Sequence, residues 1–188
     1  GQFTYTTGAV FNEEFVDGML RKGQTTYSDG YVYKGEYQNN EEHGQGTSTY
    51  VNGDVYTGSW ENGKPHGQGT FTWWNNDVYI GSWKNGKQHG QGTITLSSSV
   101  YIGLWENGAK TEGKFKLKNG DVYVGSFNKS NEQHGQGVYT FSNGNVYAGS
   151  LRHDKFDGYA KTTFAHDGYR TNETMKVKPT NLFQYDVP

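Results

Sequence analysis

Four histidines recur in identical His-Gly-Gln-Gly tetrapeptides, which begin at His43, His66, His89 and His134. Imidazole is a common zinc ligand, so the set raises the question of a metal site. The separations of 23, 23 and 45 residues are, however, close to multiples of one period. If each period is one β-hairpin, neighbouring histidines lie roughly 9–10 Å apart, or two strand spacings. Because zinc ligands lie at about 2 Å from the ion, we predict no metal site and no cofactor.

Other polar motifs do not form a recognisable catalytic set. The tetrapeptide lacks the Lys-Ser/Thr that follows the glycines of a phosphate-binding loop. The serines at 97–99 have no base near them in the sequence, and the chain has no cysteine. Carboxylates such as Glu41-Glu42 are predicted to be solvated turn residues. We therefore predict that this chain is not an enzyme.

Composition bears on further function classes. The 17 Lys and Arg residues nearly balance the 19 Asp and Glu residues, which argues against a nucleic-acid partner. There is no apolar run of transmembrane length. The 28 glycines and the 16% aromatic content, with few Leu and Ile, are typical of β-strands divided by glycine turns. These features predict an all-β protein.

A short repeat accounts for the histidine spacing. Units starting with Tyr-x-Gly begin at Tyr33, Tyr56, Tyr79, Tyr101, Tyr123 and Tyr147, and a weaker unit begins at Phe11. The intervals are 22, 23, 23, 22, 22 and 24 residues, which indicates a repeat array. We predict a half repeat at 1–10, about seven repeats at 11–168 and a non-repeat C-terminal cap or tail at 169–188. The half repeat suggests that the chain is a fragment that begins within a longer array.

Each repeat is predicted to be one hairpin with a two-residue turn. In residues 54–73, alternating residues are followed by Asn62-Gly63, a strong hairpin signal because both positions need positive φ. With this turn, Gly58 is expected opposite Gly67 and Tyr56 opposite Gly69, so that the tyrosine ring covers bare glycine backbone. Two-residue turns at Asn39-Asn40 and Asn85-Gly86 would likewise pair Tyr33 with Gly46 and Tyr79 with Gly92.

The connections between hairpins are predicted to be three-residue loops that end in glycine. The loop at 51–53 would place Tyr56 opposite Ser48, and the loops at 28–30, 118–120 and 142–144 fit the same form. Length variants fit as well, with a two-residue loop at 97–98 and three-residue loops at 106–108 and 129–131. The loop at 106–108 would place Tyr101 opposite Gly113.

Alternation along the strands separates two faces of the sheet. We call the face of the repeated Tyr and Trp residues face A and the opposite face, with Thr57 and Gln68, face B. The expected fold is an elongated, single-layer, twisted antiparallel sheet of tandem hairpins, open rather than closed into a barrel. Since no helix is predicted to cover face A, we expect an exposed aromatic groove there. The candidate groove residues are Tyr33, Tyr37, Tyr56, Trp60, Tyr79, Trp83, Tyr101, Trp105, Tyr123 and Phe127.

The unit from Tyr56 to Gly69, Tyr-x-Gly-x-Trp-x-x-Gly-x-x-His-Gly-x-Gly, resembles the MORN (membrane occupation and recognition nexus) repeat. Three units depart from the motif. Glu13 and Arg21 replace the paired glycines in the first unit, Thr111 and Glu112 interrupt the motif in the unit from Tyr101, and residues 157–160 replace it in the last clear unit. The resemblance implies a repeat solenoid with a groove that acts as a non-catalytic scaffold or adaptor. It implies a cytoplasmic protein near membranes or the cytoskeleton, with a partner helix or peptide in the groove, or a second copy in a homodimer.

Two alternatives remain open at this stage. The chain resembles regulatory MORN arrays of larger enzymes, of the lysine methyltransferase or phosphoinositide kinase type. It also resembles phospholipid-binding modules, which would need a local basic patch for weak phosphoinositide contact. The best candidate patch consists of Lys110, Lys114, Lys116 and Lys118.

Overall fold

The computed structural model describes residues 2–4, 10–16, 19–166 and 169–181, which form β-strands joined by turns, with no helix among them. This confirms the all-β prediction. The chain divides into two compact units, Gly1–Ser97 and Ser98–Pro188. Within each unit, every strand pairs antiparallel with its neighbour in the chain, so each unit is an open array of tandem hairpins.

The described residues of the first unit form nine strands in chain order. They are β1 (Gln2–Thr4), β2 (Val10–Val16), β3 (Met19–Thr26), β4 (Val32–Gln38), β5 (Glu41–Thr49), β6 (Val55–Glu61), β7 (Lys64–Thr72), β8 (Val78–Lys84) and β9 (Lys87–Leu96). The predicted half repeat supplies β1, which pairs with β2.

In the part of the second unit that the structure describes, seven strands follow one another in chain order. They are β10 (Ser99–Glu106), β11 (Ala109–Lys116), β12 (Val122–Phe127), β13 (Gln133–Thr140), β14 (Val146–Arg152), β15 (Lys155–His166) and β16 (Tyr169–Asn181). Most of the predicted cap or tail is β16, which pairs with β15. Residues 182–188 lie outside the described residues.

The three-residue turns have the predicted form. In the turn at 51–53, the Tyr50 amide donates to the Asp54 carbonyl at 2.9 Å, and Gly53 has a φ of +89°. Ser48 pairs with Tyr56, as expected. Equivalent hydrogen bonds close the turns at 28–30, 118–120, 129–131 and 142–144, and a two-residue turn lies at 97–98.

The register across the two-residue turns differs from the prediction. Asn62 and Gly63 have positive φ, but Gly58 pairs with Gly69 and Tyr56 pairs with Phe71. The physical reason is a β-bulge in β7, where Gly67 adopts a left-handed φ of +68° and lengthens the second strand. The predicted pairs of Tyr33 with Gly46 and Tyr79 with Gly92 are wrong for the same reason, since bulges lie between β4 and β5 and between β8 and β9.

The hairpin from Tyr101 also differs from the prediction. Its turn has two residues, Asn107 and Gly108, instead of the predicted three. Tyr101 pairs with Phe115 rather than with Gly113. A one-residue bulge absorbs the difference, because Leu104 pairs with Glu112 whereas Trp105 pairs with Lys110, leaving Thr111 between them.

Each unit has a row of glycines beneath its tyrosine rings. In the first unit, the directly paired glycines are Gly23, Gly35, Gly46, Gly58, Gly69, Gly81 and Gly92. In the second unit they are Gly103, Gly113, Gly125, Gly137 and Gly149. A Cβ placed on Gly69 would overlap the ring and hydroxyl of Tyr56, so the predicted covering of glycine by tyrosine is confirmed.

The hydroxyl group of each repeated tyrosine donates a hydrogen bond to a backbone carbonyl. The Tyr56 hydroxyl donates to the carbonyl of Ser59 at 2.8 Å, three residues along its own strand. The same bond, at 2.6–2.9 Å, is made by Tyr33, Tyr79, Tyr101, Tyr123 and Tyr147. Each ring is thus held over the glycine row by burial and by this hydrogen bond, and the hydroxyls of Tyr33 and Tyr101 also donate to a carbonyl of the paired strand.

Candidate functional site

The ten predicted groove residues are brought together as the core of the two units. Each is at most 9% exposed, and the first tyrosine of each repeat is fully buried. Their rings cover one another edge to face, as in the contacts of Tyr56 with Trp60 at 5.2 Å and with Trp83 at 5.1 Å. These side chains therefore contribute little exposed surface themselves. A role for them in binding stays a prediction.

A different set of aromatic residues in the first unit is partly exposed. Tyr27, Tyr31, Tyr50 and Phe71 follow one another with ring-centroid distances of 5.2, 5.4 and 5.9 Å. We call these four residues the aromatic ladder. Tyr27 is 39% exposed and the other three are half-buried. Sequence reasoning missed the ladder because all four members lie outside the Tyr-x-Gly-x-Trp motif. Tyr27, Tyr31 and Tyr50 lie beside three-residue turns, and Phe71 lies in the second strand of its hairpin.

The ladder borders an open cleft of roughly 760 Å³. The cleft is lined by Asp29, Tyr31, Tyr50, Val51, Asn52, Asp54 and Phe71. Val51 is 71% exposed and lies at the rim. The lining contains two carboxylates, Asp29 in one turn and Asp54 directly after the next turn. Asp54 accepts a hydrogen bond from the Trp74 amide at 2.8 Å. The cleft thus combines aromatic walls with negative charge.

Glu42 lies directly behind the ladder. Its carboxylate accepts a hydrogen bond from the Tyr31 hydroxyl at 3.1 Å, and its side chain is 8% exposed. Burial raises its pKa to about 7, and hydrogen bonds from Tyr31 and Tyr27 act in the opposite direction. The prediction of a solvated Glu41-Glu42 pair is therefore wrong for Glu42. Since it pairs with Tyr37, it lies among the rings of face A.

Lys110 occupies the equivalent position in the second unit. It pairs with Trp105 as Glu42 pairs with Tyr37. Its ammonium nitrogen lies 5.3, 5.0 and 5.8 Å from the ring centroids of Tyr101, Phe115 and Phe127. These are cation–π distances. Burial lowers the pKa of Lys110.

The structure does not bring the four predicted lipid-patch lysines together. The bulge at Thr111 changes the alternation of β11, so Lys110 lies on face A with Trp105. Lys114 pairs with Ile102 and Val124, both about half exposed, which places it on face B. Lys116 is exposed on that same face, two residues along the strand, and Lys118 is exposed in the turn at 118–120.

The repeated polar residues make contacts between hairpins. Gln45, Gln68 and Gln136 each donate to the serine hydroxyl of the next hairpin at 2.7–2.9 Å. This explains the glutamine of the tetrapeptide as a structural residue of face B. Among the described residues, no group of three His, Cys, Asp or Glu side chains is placed to hold a metal ion.

The part of the chain that the structure describes holds no helix of the length and apolar character needed to cross a bilayer.

Comparison with known proteins gives one family. A family model described as the MORN repeat matches residues 33–55, 56–78, 79–99, 123–146 and 147–165, more than half of the chain. The matched ranges leave out the unit from Tyr101, in which Thr111 and Glu112 interrupt the tetrapeptide. No curated protein is a significant match.

Among solved structures, the chain is similar to the SAS-4 (dCPAP) TCP domain of Drosophila melanogaster, in complex with a proline-rich motif of Ana2 (dSTIL). The identity is 8%, the match covers 93% of this chain and 88% of that chain, and the TM-score is 0.49. A likeness at this level carries no argument about partners.

Proposed function

The chain belongs to the MORN repeat family, and from this premise we propose that it is a non-catalytic scaffold or adaptor domain that binds another protein through face A. We propose that it acts in the cytoplasm, near a membrane or the cytoskeleton. The occupant of face A is a helix or an extended peptide of the partner. A second copy of the chain is the alternative occupant.

The observation that carries this proposal is the aromatic ladder beside its cleft. Contiguous exposed aromatic surface is typical of interaction sites, because tyrosine and tryptophan bury a large area with few rotatable bonds. The buried core residues support the ladder from beneath, since the ring of Trp83 lies 6.0 Å from that of Phe71. A ladder held on a packed floor binds with little loss of conformational freedom.

A phospholipid-binding role has less support from the geometry. The candidate patch needs clustered basic side chains to attract an anionic headgroup. Lys110 instead lies over its own aromatic rings, while Lys114 and Lys116 lie on face B. A regulatory role within a larger enzyme is compatible with the same protein-binding surface.

The test is a selection of random 16-residue peptides displayed on phage, carried out against the full chain. Binding of the selected peptides is then measured with Tyr50→Ala and Phe71→Ala variants. The matched control is Ile80→Ala, which shortens a side chain that is 59% exposed on face B. Melting temperatures establish that each variant is folded.

We expect the two ladder variants to weaken binding at least tenfold and Ile80→Ala to change it less than twofold. The proposal is contradicted if the selection yields no specific peptide. It is also contradicted if the peptides bind the ladder variants as tightly as the unaltered chain.

A further inference from the structure

We propose that Tyr27, Tyr31 and Tyr50, with Glu42 behind them, form a binding site for a lysine or arginine side chain of a partner peptide. We call these four residues the cation site. The inference rests on the proposed function and specifies the chemistry of the partner at one end of the aromatic ladder.

Glu42 is a buried acidic residue. None of the ion pairs among the described residues includes its carboxylate, although the residue is only 8% exposed. Its hydrogen-bond donor in the cleft wall is the neutral hydroxyl of Tyr31. Burying an unpaired carboxylate is unfavourable, and a basic group brought to it by a ligand forms a strong charge-assisted hydrogen bond.

The surroundings of that carboxylate are aromatic and acidic. It accepts a hydrogen bond from the Tyr31 hydroxyl at 3.1 Å, and the Tyr31 ring lies 5.2 Å from that of Tyr27 and 5.4 Å from that of Tyr50, so Glu42 lies beside the ladder rings. Asp29 and Asp54 line the adjoining cleft, which makes its ionisable lining wholly acidic. A side chain with an apolar stem and a cationic end fits this site. Its stem would lie against the ladder rings and its cation at the carboxylate of Glu42.

The second unit of the same chain holds a cation over aromatic rings at the equivalent register position. In the second unit, the residue at the register position of Glu42 is Lys110, and its ammonium group covers the rings of Tyr101, Phe115 and Phe127. The rings of this fold therefore accept a cation at this position. In the first unit the position carries the opposite charge. The rings equivalent to those of Tyr101 and Phe127, which are Tyr33 and Trp60, are buried there, and the partly exposed rings beside Glu42 are those of the ladder, so a partner has to supply the cation.

An uncharged apolar side chain would fill the same space but would not neutralise the charge of Glu42. It would bury Glu42 further and leave the carboxylate without a counter-charge. The charge of the ligand, rather than its volume, is therefore the property that the cation site selects.

The test uses two small probes with the full chain, N-acetyl-lysine methylamide and N-acetyl-norleucine methylamide. Binding is followed by NMR through the ring signals of Tyr27, Tyr31 and Tyr50. We expect the lysine probe to bind at least fivefold more tightly than the norleucine probe. We expect Glu42→Gln to remove that preference, whereas Glu61→Gln, which removes the same charge from an exposed position, leaves it unchanged.

A second variant keeps the test decisive if Glu42→Gln lowers the melting temperature strongly. Tyr50→Leu retains the carboxylate and removes one ring, and we expect it to weaken the lysine probe at least threefold. The inference is overturned if the two probes bind equally, if the lysine probe does not perturb these rings at 50 mM, or if Glu42→Gln and Glu61→Gln behave alike.

Failure of this inference can be distinguished from failure of the proposed function. In peptides selected on the aromatic ladder, each lysine is replaced by norleucine and each arginine by citrulline. If ladder-dependent binding survives all of these replacements, the cation site is overturned and the protein-binding function stands. If the selection yields no peptide, the proposed function fails, and the two small probes still decide the cation site.

Discussion

The two units place opposite charges at the same register position. Glu42 faces Tyr37 in the first unit, and Lys110 faces Trp105 in the second. The lysine lies over its own unit's rings, whereas the glutamate is held by tyrosine hydroxyls beside rings that stay partly exposed. One backbone arrangement thus gives a self-covered aromatic surface in one unit and an open, acidic one in the other.

This difference distinguishes the part of the repeat that is the same in both units from the part that varies between repeats. The glycine row and its tyrosines recur in both units and build the sheet. The position that faces the second aromatic residue varies freely in size and charge. Among the described strands, the residues that face this aromatic residue are Leu20, Glu42, Pro65, Gln88, Lys110 and Gln133, and in the hairpin of β14 and β15 Phe156 faces Leu151 instead. Function is therefore expected to depend on this position, and stability on the glycine row.

The largest expected effect concerns what the units share. Gly69→Ala in the first unit and Gly113→Ala in the second should each lower the free energy of unfolding by about 2–4 kcal/mol. The reason is that an added Cβ would overlap the ring of Tyr56 in one case and the Tyr101 ring and the Ile102 carbonyl in the other. Urea unfolding monitored by tryptophan fluorescence measures both values.

The control for this pair is Gly63→Ala. A Cβ on Gly63 meets no atom within 4 Å, but its φ is +69°, so the substitution should cost only about 1 kcal/mol. If Gly69→Ala costs no more than Gly63→Ala, close packing beneath the tyrosine is not what requires glycine. If only one unit is destabilised, the two glycine rows are not equivalent.

A smaller effect is expected at Lys110. Lys110→Glu should lower the free energy of unfolding by about 2 kcal/mol, because it replaces a cation over three rings by a buried carboxylate. Lys110→Met keeps a flexible apolar stem and should cost less than about 1 kcal/mol. Urea unfolding of both variants is the measurement. Equal losses in the two variants would mean that Lys110 acts through its stem alone and would weaken its comparison with Glu42.

The smallest expected effect is the pH dependence due to Glu42. Its pKa of about 7 in the folded protein lies above the ordinary value of 4.5, so folding favours the protonated carboxyl group. This contribution to stability is fully present below pH 4.5 and is lost as the pH rises through 7. The loss should be on the order of 1–2 kcal/mol, less than the shift alone implies, because the protein around a buried group relaxes when the group becomes charged.

The measurement compares the unaltered chain with Glu42→Gln in urea at pH 4.5, 6 and 8. The difference between their free energies of unfolding cancels the other titrating groups. We expect the unaltered chain to lose stability relative to the variant as the pH rises. A difference that stays constant with pH would show that Glu42 titrates normally and would remove the contrast with Lys110.

Local features of the fold could be predicted from the repeat. The turn at 51–53 has its expected register because a three-residue loop that ends in glycine has one favoured geometry. The covering of glycine backbone by a tyrosine ring was predictable too, since the repeat places glycines near an aromatic residue in unit after unit. The register of Gly58 was not, because Gly67 and Gly69 look alike in the sequence. One needs a left-handed φ and the other needs close contact.

The candidate site was less predictable for related reasons. Lys110 appeared to share a face with Lys114, and a one-residue bulge at Thr111 separates them. The ten motif aromatics were expected to form an exposed strip, but they bury one another through edge-to-face contacts. The ladder residues could have been found from the aromatic residues next to each glycine turn, such as Tyr27 and Tyr50.

The sequence by itself determined the repeat period, the strand and turn types and the identity of the stacked tyrosine and glycine residues. These depend on local backbone preferences and on contacts between neighbouring strands, which the repeat displays in every copy. Only the tertiary structure decided that Glu42 is buried, that Lys110 covers its rings and that the ladder remains open. Burial and electrostatic environment depend on the bulges and on side chains from several strands, and a linear pattern does not record either of them.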